Sequence, residues 1–397
     1  MAGTAHTERS SPVTDRAAAV EYTSIRVMYE QAEQRGGDLV RMEVGQPDFR
    51  PPEHVTEAAV DAARGGETTY TQTAGLPDLR RALADRLAAD HNVEYDPETE
   101  VVMTVGGMEA LLLATLTVVA PGEEVVIPTP AWPNYETQVR LADGVPIEVP
   151  LPADDGFDLD LDRIDDAMGQ NTAAVILASP SNPTGRAYGE AELAGLVDLA
   201  AEHDAVVIAD EVYKRLTFEG STRALASYTD HPERVLSVGS CSKTYAMTGW
   251  RVGWLAGPEP VIDKATKVHG CTTACVSNVA QRAAEAALSG PQAPVDEMYD
   301  AFERRRDLVV ERVEDLPTVT CPRPEGAFYA FLDCNALDGT SLDVAKRLLA
   351  EEGVVLAPGG GFGDAGEGYL RMSFAASEER IDEGFDRIEA FVREEVR

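Results

Sequence analysis

From about residue 100 to residue 257, short apolar runs rich in β-branched residues alternate with segments of helical periodicity. The spacing predicts helices over 109–119 and 190–203, among others. The predicted strands are 101–105, 124–128, 146–149, 173–178, 205–210, 234–238 and 252–257. Short all-apolar strands between helices indicate a mainly parallel sheet covered on both faces. In such a sheet, ligands bind at the carboxyl ends of the strands.

The C-terminal part has a different pattern. A long charged helix is predicted at Ala293–Glu314, followed by strands at 326–332, 353–357 and 369–374 and a final amphipathic helix from Ser377. The whole chain is therefore predicted to be an α/β protein with a second, α+β unit. The predicted large domain spans 51–290, and the smaller domain combines 20–50 with 291–397. Residues 1–19, rich in Thr, Ser and Ala, predict a flexible tail.

The chain is strongly acidic, with a formal net charge of −35, and only five of its 34 basic residues are lysine. The acidic residues are scattered over almost every segment. Such a surface repels nucleic acid and anionic membranes, so neither is expected as a partner. It also suits a very salty cytoplasm, where screening removes the self-repulsion. A halophile-like surface is thus a hypothesis about habitat.

Five cysteines in 397 residues favour reduced thiols in a cytosol over a disulfide scaffold. Cys271 and Cys275 resemble half of a metal site, but no second pair or histidine cluster completes it, so no metal is expected. The segment 1–20 is polar, which predicts no signal peptide. No apolar run is long enough to span a bilayer. The expected location is the cytoplasm.

Lys243 stands out because this sequence has so few lysines. It follows the strand 234–238, with Ser240 and Ser242 before it and Arg251 eight positions after it. Arginine solubilises equally well but cannot form an imine, because its guanidinium stays protonated. Two hydroxyls and an arginine form a dianion-binding group beside the amine. The pattern favours a phosphate-bearing aldehyde held next to a nucleophilic lysine.

Asp210 closes the apolar strand 205–210, and Tyr213 follows three residues later. A buried carboxylate at a strand end requires a cation or a donor, and a protonated pyridinium nitrogen is such a partner. Taken alone, Asp-x-x-Tyr also fits a strand-end aspartate that caps a helix. Beside the Lys243 motif, the cofactor interpretation is favoured.

Three further loops follow predicted strands. Asn182 lies in the rigid loop 179–185, where the Asn182-Pro183 bond is a candidate for a cis peptide. Gly106, Gly107 and Met108 begin a helix, whose free N–H groups attract phosphate. Trp132 is suited to stacking on a flat heteroaromatic ring, although core packing explains a lone Trp equally well.

These motifs, in this order, resemble class I aminotransferases of pyridoxal 5'-phosphate (PLP) fold type I, the aspartate aminotransferase group. The most specific part is Ser-x-Ser-Lys-x-x-x-Met-Thr-Gly-Trp-Arg-x-Gly at 240–253. Other matching motifs lie at 44–49, 70–80, 182–185, 210–213 and 369–374. The resemblance covers nearly the whole chain, from about Ser24 to Phe374.

The resemblance implies PLP as cofactor and an amino acid and a 2-oxo acid as substrates. It assigns the Schiff base and the proton transfer to Lys243, and the pyridine nitrogen to Asp210. The other implied cofactor contacts are Tyr213 and Asn182 at the ring oxygen, Trp132 over the ring, and Gly107, Met108, Ser240, Ser242, Arg251 and the neighbouring subunit's Tyr70 at the phosphate. Arg371 is implied to grip the substrate α-carboxylate with help from Asn182 and Gly45. A shared Tyr70 implies a homodimer.

Two departures bear on the substrate. Aspartate-specific relatives place a cation for the distal carboxylate at positions that match Thr273 or Met108, and neither residue is cationic. An apolar or aromatic donor is therefore expected, with Lys267 and Arg26 as alternative cations. Two other functions stay open: a PLP-dependent β-lyase, which shares every cofactor residue, and a non-enzymatic ligand-sensing domain. The absence of a basic helix-turn-helix before Ser24 weighs against the latter.

Overall fold

The computed structural model describes residues 13–20 and 22–395. Within these residues, the strands are β1 (Val40–Arg41), β2 (Val101–Thr104), β3 (Glu124–Thr129), β4 (Val145–Pro150), β5 (Thr172–Ala178), β6 (Val206–Asp210), β7 (Val235–Ser240), β8 (Gly253–Ala256), β9 (Tyr329–Asp333), β10 (Val354–Val355), β11 (Ala357–Pro358) and β12 (Tyr369–Ser373). The helices are α1 (Asp15–Ala18), α2 (Ser24–Arg35), α3 (Glu53–Arg64), α4 (Pro77–His91), α5 (Gly107–Val118), α6 (Asn134–Leu141), α7 (Leu161–Ala167), α8 (Glu190–Glu202), α9 (Cys241–Thr244), α10 (Glu259–Thr272), α11 (Asn278–Ser289), α12 (Ala293–Glu314), α13 (Ser341–Glu352) and α14 (Glu378–Glu395).

The central sheet has seven strands in the order β2-β8-β7-β6-β5-β3-β4. All neighbours are parallel except β8, which pairs antiparallel with both β2 and β7. The seven predicted strands are confirmed, with ends that differ by one or two residues. The predicted mainly parallel α/β sheet is therefore correct.

Alternate residues of the central strands enter different hydrophobic clusters. Ile176 and Ile208 pack with α5, α6 and α10, whereas Val175 and Val207 pack with α7 and α8. Because successive side chains of a strand point to opposite faces, both faces of the sheet are covered. This burial explains why the strands read as uninterrupted apolar runs.

The C-terminal part forms a second sheet in the order β11-β12-β9, with antiparallel pairing. The predicted strand 353–357 is wrong as a single element. Val354–Val355 form β10, which pairs with β1 of the N-terminal segment, whereas β11 begins only at Ala357 and pairs with β12. The predicted strand at 326 begins only at Tyr329, because the Gly326 N–H donates to Gly185 O at 2.9 Å.

The pairing of β1 with β10 brings the N-terminal segment onto the C-terminal part. The division that groups 20–50 with 291–397, like its boundaries with 51–290, stays a prediction. Residues 1–12 of the predicted tail lie outside the described residues. In the rest of that segment, Arg16 in α1 pairs with Asp143 at 2.5 Å.

The cysteines and the lengths of the apolar helices bear on the predictions of reduced thiols and of no membrane span. All five cysteines are free thiols. Over 13–20 and 22–395, no helix has both the length and the apolar character needed to cross a membrane.

Candidate active site

A cavity of about 410 Å³ opens at the carboxyl ends of β5, β6 and β7. This is the edge at which the sequence predicted a ligand. Twelve of the predicted site residues line it: Gly45, Gly107, Met108, Trp132, Asn182, Asp210, Tyr213, Ser240, Ser242, Lys243, Arg251 and Arg371. The motifs lie far apart in sequence and meet because parallel strands end at one edge of the sheet.

Lys243 lies in the short helix α9, directly after β7. Its Nζ donates a hydrogen bond to Gly45 O at 2.5 Å. Burial, followed by repulsion from Arg371, lowers the pKa of Lys243 to about 8. The neutral, nucleophilic amine is therefore far more populated near neutral pH than in a solvated lysine.

Asp210 ends β6 and is buried. The Tyr135 hydroxyl donates to Oδ2 at 2.7 Å, and the Val212 N–H donates to Oδ1 at 3.2 Å. Burial raises the pKa of Asp210 to about 6, although the bond from Tyr135 opposes that shift. A cationic ring N–H at this carboxylate would offset the desolvation that raises the pKa. No role for Tyr135 was predicted from the sequence.

Tyr213 is buried, and its hydroxyl lies 2.8 Å from that of Tyr329. Tyr329 begins β9 and also lines the cavity, although no sequence motif pointed to it. A Cβ added at Gly45 would stand 1.9 Å from the Tyr329 hydroxyl oxygen. Glycine at position 45 is therefore needed for this packing.

The residues predicted to bind a phosphate lie around the start of α5. Gly106 has φ +78, and a Cβ there would meet the Arg251 guanidinium at 2.5 Å. A Cβ at Gly253 would meet the Gly107 nitrogen at 2.6 Å. The Ser240 hydroxyl donates to the Ser242 hydroxyl at 2.8 Å. Backbone N–H groups, hydroxyls and a guanidinium thus lie close together at the start of α5, in a cup that has no room for a side chain at position 106 or 253.

Glu109, in the first turn of α5, holds the backbone of this cup in place. No role for it was predicted from the sequence. Its carboxylate accepts from the Val105 N–H at 2.5 Å, the Thr273 hydroxyl at 2.5 Å and the ring of the buried His269 at 2.9 Å. Partial burial alone would raise the pKa of Glu109. The hydrogen bonds, chiefly the one from His269, outweigh burial, so the pKa is lowered. The turn before α5 is thereby tied to α10.

Arg371 lies in β12 and is buried. Its Nη1 donates to Asn182 Oδ1 at 2.9 Å, and its Nη2 donates to Glu43 O at 2.5 Å. The guanidinium carbon lies 4.5 Å from the Tyr329 ring centre. Among the described residues, the buried Nε has no hydrogen-bond partner. The guanidinium is thus oriented by protein groups and keeps a free donor.

The loop that carries Asn182 is held by the C-terminal part of the chain. Gly185, with φ +73, accepts hydrogen bonds from the N–H groups of Glu325 and Gly326, each at 2.9 Å. The predicted cis bond at Asn182-Pro183 is wrong, because the cis X-Pro bond of this loop is Ser179-Pro180. The Asn182 side chain nevertheless accepts a hydrogen bond from Arg371.

At the cavity mouth, Met108 is 40% exposed, and Ile25 also lines the wall. Thr273 does not line this cavity. Of the two alternative cations, Lys267 pairs with Asp263 at 2.6 Å outside the cavity. Arg26 lines the mouth but pairs with Glu30 at 2.8 Å.

Tyr70 is the predicted site residue that does not line its own chain's cavity, and it is 87% exposed. Trp132 lies in the wall and contacts Tyr135 edge-on, with ring centres 5.6 Å apart. In the described part of the chain, no three His, Cys, Asp or Glu side chains are grouped so that they could hold a metal ion.

Comparison with known proteins extends over almost the whole chain. Residues 37–388 match the family described as Aminotransferase class I and II. The aspartate aminotransferase of Pyrococcus abyssi is 38% identical over 387 residues, covering 96% of this chain and 98% of its own. Aromatic-amino-acid aminotransferase 2 of Thermococcus litoralis is 36% identical, with 96% and 98% covered.

A solved structure, that of the Thermus thermophilus aspartate aminotransferase with maleate, superposes with a TM-score of 0.90 at 36% identity. It covers 96% of this chain and 99% of the Thermus chain. The predicted fold type, cofactor class and transamination are confirmed by these matches. The chain belongs to the class I and II aminotransferases and is a PLP-dependent aminotransferase.

Proposed function

We propose that Lys243, Asp210 and Arg371 are the groups through which this aminotransferase moves an amino group from an L-amino acid to a 2-oxo acid. The observation that supports this most directly is their meeting in one cavity, in which Lys243 is a partly neutral amine and Arg371 keeps an unpaired donor. Mixing the PLP enzyme with single amino acids and recording the absorption spectrum tests the proposal. Only true donors convert the cofactor to its amine form.

The residues in the cavity fit PLP. The cup around Gly106, Gly107 and Gly253 presents donors and excludes side chains, which suits a phosphate. The buried Asp210 carboxylate suits a protonated ring nitrogen, and Trp132 suits the ring face. When bound, PLP supplies an aldehyde that condenses with amines and a ring that withdraws electrons from the amino acid Cα.

Each side chain then has a definite task. Asp210, oriented by Tyr135, holds the proton on the ring nitrogen, because an ionised carboxylate beside that nitrogen favours its charged form. Tyr213 and Asn182 donate to the ring oxygen. Ser240, Ser242, Arg251 and the N–H groups of Gly107 and Met108 hold the phosphate by charge-assisted hydrogen bonds.

Lys243 and Arg371 act on the amino acid. Arg371, oriented by Asn182, would grip the α-carboxylate and so hold the Cα within reach of the Lys243 amine. With PLP bound, Lys243 Nζ would accept the proton that leaves the Cα and hold it for the next proton transfer. Its lowered pKa suits a group that must both accept and donate a proton near neutral pH.

For the donor, we propose an apolar or aromatic amino acid. Met108 and Ile25 form the wall where a side chain would lie, Thr273 is bonded to Glu109, and Arg26 is paired with Glu30. A distal carboxylate therefore lacks charge-assisted bonds worth about 1.5–3 kcal/mol, or roughly one to two orders of magnitude in specificity.

At least one aromatic or aliphatic amino acid should match or exceed aspartate in kcat/KM. Met108→Lys should shift the preference toward aspartate, and Met108→Leu is the matched control that keeps the wall apolar. Steady-state kinetics with a panel of amino acids measure the ratio. A wild-type enzyme that strongly prefers aspartate over every neutral donor would contradict the assignment.

We propose a homodimer in which Tyr70 completes the phosphate site of the partner subunit. Tyr70 is 87% exposed, so in its own chain it packs against little. An apolar groove of about 550 Å³, with Leu112, Leu116 and Leu141 in its wall, adjoins the cavity and shares Met108 and Arg251 with it. A second copy of the chain would cover this groove.

We also propose that the protein works in a salty cytoplasm, since it combines free cysteines with a net charge of −35. Raising KCl from about 0.1 M to about 1 M shortens the screening length from about 10 Å to about 3 Å. The melting temperature should rise by several degrees, because repulsion among the acidic side chains is greater in the folded state.

Thermal melting with KCl and, separately, with sucrose distinguishes charge screening from solute exclusion. Asp154, Asp155 and Asp166 are exposed. Replacing all three with Asn should raise the melting temperature in dilute buffer and reduce the salt dependence. A melting temperature that is flat or falls with KCl would count against the proposal.

A further inference from the structure

Tyr329 lies between the groups proposed to bind the cofactor and the group proposed to bind the substrate. It is buried, with 1% of its surface exposed. Its hydroxyl is 2.8 Å from the Tyr213 hydroxyl, and its ring centre is 4.5 Å from the Arg371 guanidinium carbon. One residue therefore contacts both halves of the site.

The Tyr213 and Tyr329 hydroxyls each have one proton, and either can donate it to the other. Burial raises the pKa of both Tyr213 and Tyr329, so each is neutral near pH 7 and has one O–H to donate. Within the described ranges, the Tyr329 hydroxyl has no hydrogen-bond partner besides Tyr213. If Tyr213 donates its proton to another acceptor, the 2.8 Å contact requires the proton of Tyr329.

We propose that Tyr329 is a positioning residue that donates its proton to the Tyr213 oxygen and so commits the Tyr213 proton to the phenolic oxygen of the cofactor. This inference rests on the proposed role of Tyr213. A hydroxyl that accepts a hydrogen bond becomes a stronger donor, because bonds in a chain polarise one another. Tyr329 thus strengthens a contact that it does not itself make.

The surroundings fix the Tyr329 hydroxyl in place. Gly45 leaves room for it, since a Cβ there would overlap it at 1.9 Å. The ring, by contrast, supports the Arg371 guanidinium by a cation–π contact. Hydroxyl and ring therefore have separate tasks, and Tyr329→Phe removes only the first.

The test is a pH titration of the visible absorption of PLP bound to the full-length enzyme. A hydrogen bond to the phenolic oxygen stabilises the deprotonated, more negative state and therefore lowers the midpoint of this titration. Tyr213→Phe should raise the midpoint by about one to two pH units. Tyr329→Phe should raise it by about half a unit. Tyr329→Phe should add nothing once Tyr213 is already Phe.

Tyr95→Phe is the matched control. Its hydroxyl lies 3.0 Å from the Ser237 hydroxyl, outside the cavity, so its loss should leave the midpoint unchanged. KM for the amino acid should stay within about twofold in Tyr329→Phe, because the ring that supports Arg371 remains. If Tyr329→Phe does not fold, Tyr329→Met replaces it for the titration midpoint only, because Met lacks both the donor and the ring that supports Arg371.

The outcomes separate the two proposals. No shift in Tyr213→Phe would refute the proposed role of Tyr213 itself. A shift in Tyr213→Phe without one in Tyr329→Phe would overturn the inference about Tyr329 alone. An equal shift from Tyr329→Phe in both backgrounds would likewise overturn it, because the effect would not pass through Tyr213.

Discussion

Replacing Lys243 with Ala should lower kcat by at least about three orders of magnitude, because the change removes both the imine-forming amine and the proton carrier. PLP should still bind, since the phosphate cup, Asp210 and Trp132 do not depend on the amine. Single-turnover assays separate the lost proton transfer from weakened binding. Lys214→Met is the matched control, because Lys214 is also buried but does not line the cavity.

The chemistry of the amine provides an independent measurement. Borohydride reduction should fix PLP to the peptide that contains Lys243. The rate at which the apoenzyme captures PLP should rise with pH around a midpoint near 8, because the pKa of Lys243 is lowered to about 8 and only the neutral amine attacks. Labelling of Lys214, Lys264, Lys267 or Lys346 instead would refute the assignment.

The sequence was sufficient to predict the central sheet and the residues at its carboxyl edge. Apolar strands covered on both faces produce runs that can be recognised without long-range information. Lys243, Asp210 and Asn182 each follow such a run within a few residues, so their position at one edge follows from the strands alone.

Residues that depend on tertiary packing could not be predicted in this way. Tyr135 meets Asp210 across 75 positions of sequence, and Tyr329 meets Tyr213 across 116. A buried tyrosine in a helix or strand looks the same whether its hydroxyl faces a core polar group or an active site. Tyr329 and Tyr135 each contact residues of recognisable motifs, Tyr213 and Asp210, but these contacts form only in the folded chain.

Short pairings were also beyond prediction. The run 353–357 is uniformly apolar, so nothing in it marks the change of partner from β1 to β12. Likewise, the sequence of 179–185 does not show which X-Pro bond is cis, because both prolines lie in the same turn-forming loop.

Mixing subunits should restore complete sites if Tyr70 acts across the interface. Tyr70→Phe removes one charge-assisted hydrogen bond to phosphate, worth about 1.5–3 kcal/mol, and should weaken PLP binding roughly 10- to 100-fold. Because Tyr70 is exposed in its own chain, we expect Tyr70→Phe to leave folding of that chain intact and to weaken cofactor binding alone. Lys243→Ala has no turnover but keeps its Tyr70.

A heterodimer of these two variants has one site with both defects and one with neither. After subunit exchange at limiting PLP, activity per Tyr70→Phe chain should therefore rise several-fold, because about half of these chains gain a complete site. Pairing Lys243→Ala with Arg371→Gln is the control: both changed residues lie in the cavity of their own chain, so no heterodimer contains an intact site. Activity should then stay at the parental level. An active enzyme that sediments as a monomer would contradict the shared site, because Tyr70 does not line the cavity of its own chain.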